Sequence, residues 1–304
     1  MMPRYNSFGP HMRSRFGTTV YKVNVDAGFT CPNRDGTLGT TGCLYCNNDS
    51  FRPSSCKPSL SITEQVQSGI AHTKKRYKAG KFLVYFQPFT NTYAPVADLE
   101  RLYHEALDNP EVMGLAIGTR PDAVDPEKVT LLERLAATHF ILVEYGLQSI
   151  YDRSLEFINR GHDYRTFLNA LEMTRDRGIY LGAHLIAGFP TETREETLAM
   201  ARVISGLPVQ FLKVHQLQVV RNTPLETLYQ EKPFHTFGYE EYINFIVDFI
   251  ERTSPEIVFQ RLFATAPDDI LVAPQWGRNR HRMLSDIEKS LEARQTFQGK
   301  EYRP

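Results

Sequence analysis

The sequence predicts an α/β protein built around a parallel sheet. Short apolar or β-branched runs alternate with amphipathic helical segments along most of the chain, and the connections between them are short. This alternation favours parallel strands, because parallel neighbours need crossover connections and helices are the usual crossover. Hydrophobic residues make up 41% of the 304 residues and charged residues 23%, which indicates a folded globular chain and excludes a disordered or fibrous one.

Six strands and five helices are expected in order along the chain. The first strand is predicted at 19–26, where apolar and polar residues alternate, and a helix follows at 61–77, where Ile62, Val66 and Ile70 share one face. The remaining strands are predicted at 82–86, 112–117, 140–146, 179–188 and 209–219, and the remaining helices at 96–108, 126–137, 164–177 and 194–205. Six such units suffice for an open sheet or a partial barrel and are too few for an eight-stranded barrel.

The two ends of the chain lie outside this repeat. Residues 1–18 form an N-terminal arm, residues 19–232 form the α/β unit, and residues 233–304 form a C-terminal extension that we expect to close the far edge of the sheet. The extension is predicted to hold a long helix at 239–253, a strand-like run at 256–263 and a final helix within 274–295.

The sequence also limits the compartment and the partners. It shows no signal-peptide apolar region and no run of eighteen uncharged apolar residues, so we expect a cytoplasmic protein without membrane contact. Lys plus Arg and Asp plus Glu both number 35, so any affinity for polyanions must come from local clusters.

Three of the four cysteines lie within CPNRDGTLGTTGCLYC at 31–46. Cys31, Cys43 and Cys46 follow the first predicted strand, so we expect them at the carboxyl ends of the strands, where α/β proteins collect reactive groups. Together with Cys56 they could close a tetrahedral zinc site. Alternatively, the first three could hold an iron–sulfur cluster with one iron open to a non-protein ligand. Cysteine spacing alone leaves both readings open.

Three further segments carry a family resemblance: GTRPDAVD at 118–125, YGLQSIYDRSLEFINRGHD at 145–163 and LGAHLIAGFPTET at 181–193. With the cysteine loop, they resemble the radical S-adenosylmethionine (SAM) superfamily, in the branch that contains the catalytic subunit of Elongator. The wide gap between Cys31 and Cys43 is similar to that branch, and the CPNRDG signature is similar to a widespread set of bacterial radical SAM proteins. The resemblance covers about residues 18–220 and implies an incomplete (βα)6 parallel barrel of the radical SAM type.

The resemblance implies cofactors and the residues that hold them. It implies a [4Fe-4S] cluster on Cys31, Cys43 and Cys46, S-adenosyl-L-methionine on the open iron, and an electron donor such as flavodoxin or ferredoxin. In relatives the glutamine of LQS contacts the SAM ribose and the arginine of NRGH pairs with the SAM carboxylate, and these positions are Gln148 and Arg160 here. Further candidates for SAM contact are Tyr45, Thr90, Asn91, Thr92, Ser149 and His184. Asp122 and His215 are candidates for catalytic roles.

The resemblance to Elongator makes a tRNA base, or a modification already present on it, the expected substrate of radical chemistry. Three basic runs interleaved with aromatic residues could contact RNA: the N-terminal arm, with Phe8 and Phe16 among its aromatic residues, HTKKRYKAGK at 72–81 and WGRNRHR at 276–282. Two alternatives stay open. One is a radical SAM enzyme that acts on a small molecule, and the other is a non-enzymatic zinc or iron–sulfur RNA-binding module.

Overall fold

The computed structural model describes residues 3–50 and 56–303, and its centre is a seven-stranded parallel sheet. The strands of the described chain are β1 Val20–Val25, β2 Lys81–Phe86, β3 Val112–Thr119, β4 Phe140–Gln148, β5 Tyr180–Ala187, β6 Phe211–Gln216, β7 Val219–Val220, β8 Val258–Arg261 and β9 Leu271–Ala273. The hydrogen-bonded order of the sheet is β1-β2-β3-β4-β5-β6-β8, and β7 pairs with β9 in a separate antiparallel ribbon. The predicted α/β class and all six predicted strands are confirmed.

The sheet curls into an incomplete barrel whose two edges are β1 and β8. The Lys22 ammonium on β1 lies 2.7 Å from Glu144 Oε1 on β4, three strands away, and also donates to the Gln260 side chain on β8. Such contacts across the sheet require strong curvature. The run at 256–263 supplies β8, which pairs in parallel with β6 and extends the sheet by one strand, as the C-terminal extension was expected to do.

Most of the helices cover the outer face of the sheet, and the first helix lies at one end of the barrel. Those of the described residues are α1 Phe8–Phe16, α2 Ile62–Arg76, α3 Val96–Leu107, α4 Pro126–Ala136, α5 Asp152–Phe157, α6 Tyr164–Thr174, α7 Arg194–Ser205, α8 Pro224–Glu231, α9 Tyr239–Arg252 and α10 Arg280–Ala293. The side chains of Ser61 and Glu64 cap the start of α2 reciprocally, which satisfies amide groups that the first helical turn leaves free. Across the described residues, no helix is both long enough and apolar enough to cross a bilayer.

Helix α1 closes the end of the barrel at which the strands begin. Its Met12 is fully buried, and its Phe8 and Phe16 make edge-to-face contacts with Phe211 and Phe140, the first residues of β6 and β4. Gly9 and Pro10 in the first turn and the weak apolar periodicity concealed this helix in the sequence. The arm is therefore a packed part of the barrel.

This position corrects one expectation about RNA. The aromatic residues Phe8 and Phe16 pack against the barrel interior and are not available to stack on bases. The basic run at 72–81 ends α2 and enters β2, so it lies at the same end as α1. Both runs are separated by the length of the barrel from the carboxyl ends of the strands. This placement speaks against the expectation that they hold RNA beside a base bound at those carboxyl ends.

Candidate functional site

A cavity of about 210 Å³ opens at the carboxyl ends of the strands. Residues at or near the end of all seven parallel strands line it, from Cys31 after β1 to Arg261 on β8. Cys31, Cys43 and Cys46 share this cavity with Gln148, Arg160 and His184. The topology thus brings the cysteine loop and two distant motifs together, as expected for the carboxyl ends of a parallel sheet.

The cysteine loop is held by the segment that follows β4. The Asn33 side-chain amide donates to Asn159 O at 2.6 Å, and the Asn159 amide donates back to Gly42 O at 2.8 Å. The amide of Leu44 donates to Ile158 O at 2.9 Å. These reciprocal bonds fix the loop from both sides, which places the cysteines without a regular element of their own.

The three cysteines differ from Cys56 in their surroundings. Burial and the neighbouring Cys43 raise the pKa of the Cys46 thiol to about 11, so Cys46 becomes a thiolate ligand only beside a cation. Cys56 is buried elsewhere and its thiol contacts Asn24 O on β1 at 3.0 Å.

The placement of these side chains bears on the zinc alternative. A single tetrahedral zinc with bonds of about 2.3 Å needs sulfur atoms about 4 Å apart. Within the described parts of the chain, no three His, Cys, Asp or Glu side chains converge closely enough for one ion. A cluster spreads its thiolate ligands over different irons, so this criterion for one ion does not apply to a cluster.

Gln148 ends β4 in a backbone conformation that is unusual for a residue with a side chain. Its φ is 78°, and the pairing between β4 and β5 shifts register between Gly146 and Gln148. The Oε1 atom of Gln148 is buried and has no hydrogen-bond partner among residues 3–50 and 56–303. Unusual backbone of this kind concentrates at functional sites, and the free acceptor lies at the cavity.

Arg160 is buried between β4 and the cysteine loop. Its guanidinium donates to Gly146 O at 2.6 and 3.2 Å, and its Nη1 lies 3.5 Å from Cys43 Sγ. A Cβ on Gly146 would stand 2.8 Å from both Arg160 Nη2 and Gln148 Nε2. Glycine is therefore required at 146 for these two side chains to share their place.

The other predicted site residues divide into two groups. Tyr45, Thr90, His184 and His215 line the cavity, and His184 Nε2 is a buried atom without a partner in the described chain. Asn91, Thr92, Ser149 and Asp122 form bonds inside the protein: Asn91 donates to Gly118 O, Thr92 bonds to Thr119, Ser149 donates to Glu192, and Asp122 accepts two bonds from Arg120.

Sequence reasoning missed Arg120. Its guanidinium lines the cavity and is 2% exposed; the Asp122 carboxylate binds it through Nε and Nη2, and its Nη1 finds no acceptor within the described residues. The cation beside Asp122 outweighs partial burial and lowers the pKa of that carboxyl. Asp122 therefore stays ionised and orients Arg120 toward the cavity.

A buried charge network forms the floor of the cavity and was also missed. Glu144 on β4 accepts from Lys22 on β1 at 2.7 Å and from Lys213 on β6, and Lys213 also donates to the Tyr85 hydroxyl at 2.7 Å. Burial opposes ionisation of Glu144, but the two lysines hold its pKa well below the usual range. Burial lowers the pKa of Lys213 to about 7 against the attraction of Glu144.

The sequence carried a signal for this network. Charged residues interrupt three mostly apolar strands, in VYKVNV, FILVEYG and FLKVHQ. A charge in a strand that is covered on both faces must find a partner of opposite sign. Pairing such residues across predicted strands would have located the network.

The chain matches known proteins along most of its length. The family model of the radical SAM superfamily matches residues 31–204, and that of the radical SAM C-terminal domain matches residues 209–293. YtqA of Bacillus subtilis is 33% identical over 297 residues, which cover 98% of this chain and 92% of YtqA. YhcC of Escherichia coli K12 is 34% identical over 289 residues, which cover 94% of this chain and 92% of YhcC.

Proteins of the Elongator type match less extensively. The tRNA uridine(34) acetyltransferase of Methanocaldococcus jannaschii is 29% identical over 137 residues, 44% of this chain and 25% of that enzyme. The solved structure of Methanocaldococcus infernus Elp3, with an N-terminal deletion, superposes with a TM-score of 0.72 at 18% identity and covers 92% of this chain and 64% of Elp3. The curled sheet is thus the radical SAM fold, and the chain is an enzyme that belongs to the radical SAM superfamily.

Proposed function

We propose that this enzyme holds a [4Fe-4S] cluster on Cys31, Cys43 and Cys46 and binds SAM beside it through Gln148 and Arg160. The observation that carries the proposal is the meeting of the three thiols with the buried, unpartnered Gln148 Oε1 in one cavity of the described chain. When bound, a reduced cluster and SAM supply a carbon radical that can take a hydrogen atom from a substrate. The side chains present fit that pair.

The chain's own residues have distinct tasks in this proposal. Arg160 offers a planar fork that suits a carboxylate, and its contact with Cys43 ties SAM binding to the cysteine loop. Gln148 Oε1 accepts a bond from a ribose hydroxyl. Tyr45, Thr90 and His184 complete the lining, while Asn91 and Ser149 hold the loops that carry their neighbours.

For the substrate we propose a tRNA base or a modification on it. Matches over 137 residues to tRNA uridine(34) acetyltransferases support this choice. The exposed arginines Arg278, Arg280 and Arg282, where α10 begins, are candidates for phosphate contacts. The chemistry would need a flavodoxin or ferredoxin as electron donor, and we expect the enzyme to work in the cytoplasm.

The test starts with anaerobic reconstitution and analysis of iron, sulfide and reductive SAM cleavage. We expect Ala at Cys31, Cys43 or Cys46 to abolish iron and sulfide binding, and Cys56→Ala, the matched control, to retain both. Equal loss of metal in Cys56→Ala would contradict the three-cysteine site.

The substrate proposal needs its own measurement. Nucleoside mass spectrometry of tRNA from cells with and without the gene should show one altered nucleoside. An identical nucleoside profile, with SAM cleavage intact, would direct the search to a small-molecule substrate.

A further inference from the structure

The floor of the cavity carries more positive than negative charge. Lys22 and Lys213 share the single carboxylate of Glu144, and Arg261 lies close enough for its charge to lower the pKa of Lys213 further. The guanidinium of Arg261 lines the cavity and makes no hydrogen bond or ion pair with any other described residue. Two lysines and an arginine therefore share one carboxylate in a site partly withdrawn from water.

This surplus is separate from the cations that accompany the cysteines. Arg160 contacts Cys43 and Arg34 donates to Cys46 O, so these two arginines belong to the cluster side of the cavity. Lys213 and Arg261 come from β6 and β8 on the other side. An anion bound beside the cysteines would therefore leave the positive charge of Lys213 and Arg261 without a counterion.

The groups around the surplus are neutral and can complete an anion site. Burial lowers the pKa of His215 to about 4 and that of His184 well below its usual value, so both imidazoles are uncharged at neutral pH. Within residues 3–50 and 56–303, Glu144 is the one carboxylate among the residues that line the cavity. A buried charge without a counterion is costly, and an anionic ligand would remove that cost.

We propose that Arg261 and Lys213 bind an oxyanion carried by the substrate, so that the enzyme selects a substrate with a carboxylate or phosphate group beside the reacting carbon. The inference rests on the proposed function, since it assigns a substrate group to the same cavity. The depth of Lys213, which is 6% exposed, favours a group on the base that enters the cavity over a phosphate of the RNA backbone.

Two pairs of ligands test the proposal on anaerobic enzyme loaded with cluster and SAM. Equilibrium dialysis compares 5-carboxymethyluridine with its neutral isostere 5-carbamoylmethyluridine, and uridine 5′-phosphate with uridine. The variants are Arg261→Gln and, as a matched control, Arg134→Gln, whose exposed arginine pairs with Glu100 on the outer face. We expect the wild type and Arg134→Gln to bind the acid about tenfold more tightly than the amide, and Arg261→Gln to lose most of this preference.

The outcomes separate the two proposals. A preference for uridine 5′-phosphate over uridine that Arg261→Gln removes would support an anion site at Arg261 and would identify its ligand as a nucleotide phosphate, which overturns the placement of the oxyanion on the base. Equal affinities within both pairs, no binding at millimolar concentrations, or a preference that survives in Arg261→Gln would overturn the inference. Reductive SAM cleavage without nucleoside is measured on the same samples. Its absence would refute the proposed function, whereas intact cleavage without anion preference would refute this inference alone.

Discussion

One methyl group at Gly146 should separate SAM binding from cluster binding. In Gly146→Ala the added carbon would stand 2.8 Å from Arg160 Nη2 and from Gln148 Nε2, closer than van der Waals contact allows. Arg160 Nη2 and Gln148 Nε2 lie at the far ends of flexible side chains, so we expect these side chains to move while the backbone of β4 stays in place. The variant therefore displaces the two side chains proposed to hold SAM, and of the three cysteines it affects only Cys43, through the contact with Arg160.

The size of the effect follows from the bonds that move. Arg160 donates twice to Gly146 O, and this arrangement aims the guanidinium at the cavity. Losing one charge-assisted hydrogen bond to SAM costs about 1.5–3 kcal/mol, so we expect SAM affinity to fall about ten- to a hundredfold.

The matched control is Gly118→Ala on β3, beside the same cavity. A Cβ there would meet its nearest atom, Phe86 O, at 3.4 Å, which is ordinary contact. Iron and sulfide content and the dissociation constant of SAM are measured anaerobically for both variants. Unchanged SAM affinity in Gly146→Ala, or a loss of iron as complete as in Cys43→Ala, would refute the reasoning.

The sheet was predictable because each of its strands is a short apolar run with a helix before or after it. Helix α1 was not predictable, because its apolar residues Met12 and Phe16 pack against the end of the barrel and form only a weak apolar periodicity within the helix itself. The position of the basic residues in α1 was not predictable either. Arg13 and Arg15 read as a basic arm in sequence, but the fold carries them to the end of the barrel opposite the cavity.

The site residues that belong to a sequence motif were predictable, and those whose position depends on contacts between distant segments were missed. Cys31, Cys43, Cys46 and Arg160 reach one cavity as their motifs implied. Arg120 was overlooked in favour of Asp122, because only the structure shows which of the two faces the cavity and which holds it. The conformation of Gln148 depends on a register shift between β4 and β5, which no local pattern reveals.

Two predictions remain. Replacing Arg278, Arg280 and Arg282 with Gln should flatten the salt dependence of tRNA binding, since each lost phosphate contact lowers the slope by about one. Replacing Arg13 and Arg15 with Gln should leave the slope unchanged. Equal slopes for both variants would contradict the proposal that the arginines where α10 begins contact phosphates. Glu144→Gln should lower the free energy of unfolding by about 3–5 kcal/mol near pH 5, where Lys213 is charged, because it leaves two buried lysines without a counterion. The control Glu133→Gln removes an exposed pair with Arg177 and should cost at most about 1 kcal/mol. Because the pKa of Lys213 is lowered to about 7, this lysine is charged below that pH and loses its charge above it. Glu144 raises the pKa of Lys213, so without this carboxylate the lysine loses its proton at a lower pH than in the wild type. The penalty of Glu144→Gln should therefore shrink as the pH rises from 5 toward 7, which urea denaturation of both variants across that range can measure. A penalty that is constant or grows between pH 5 and 7 would mean that Lys213 stays charged in the variant.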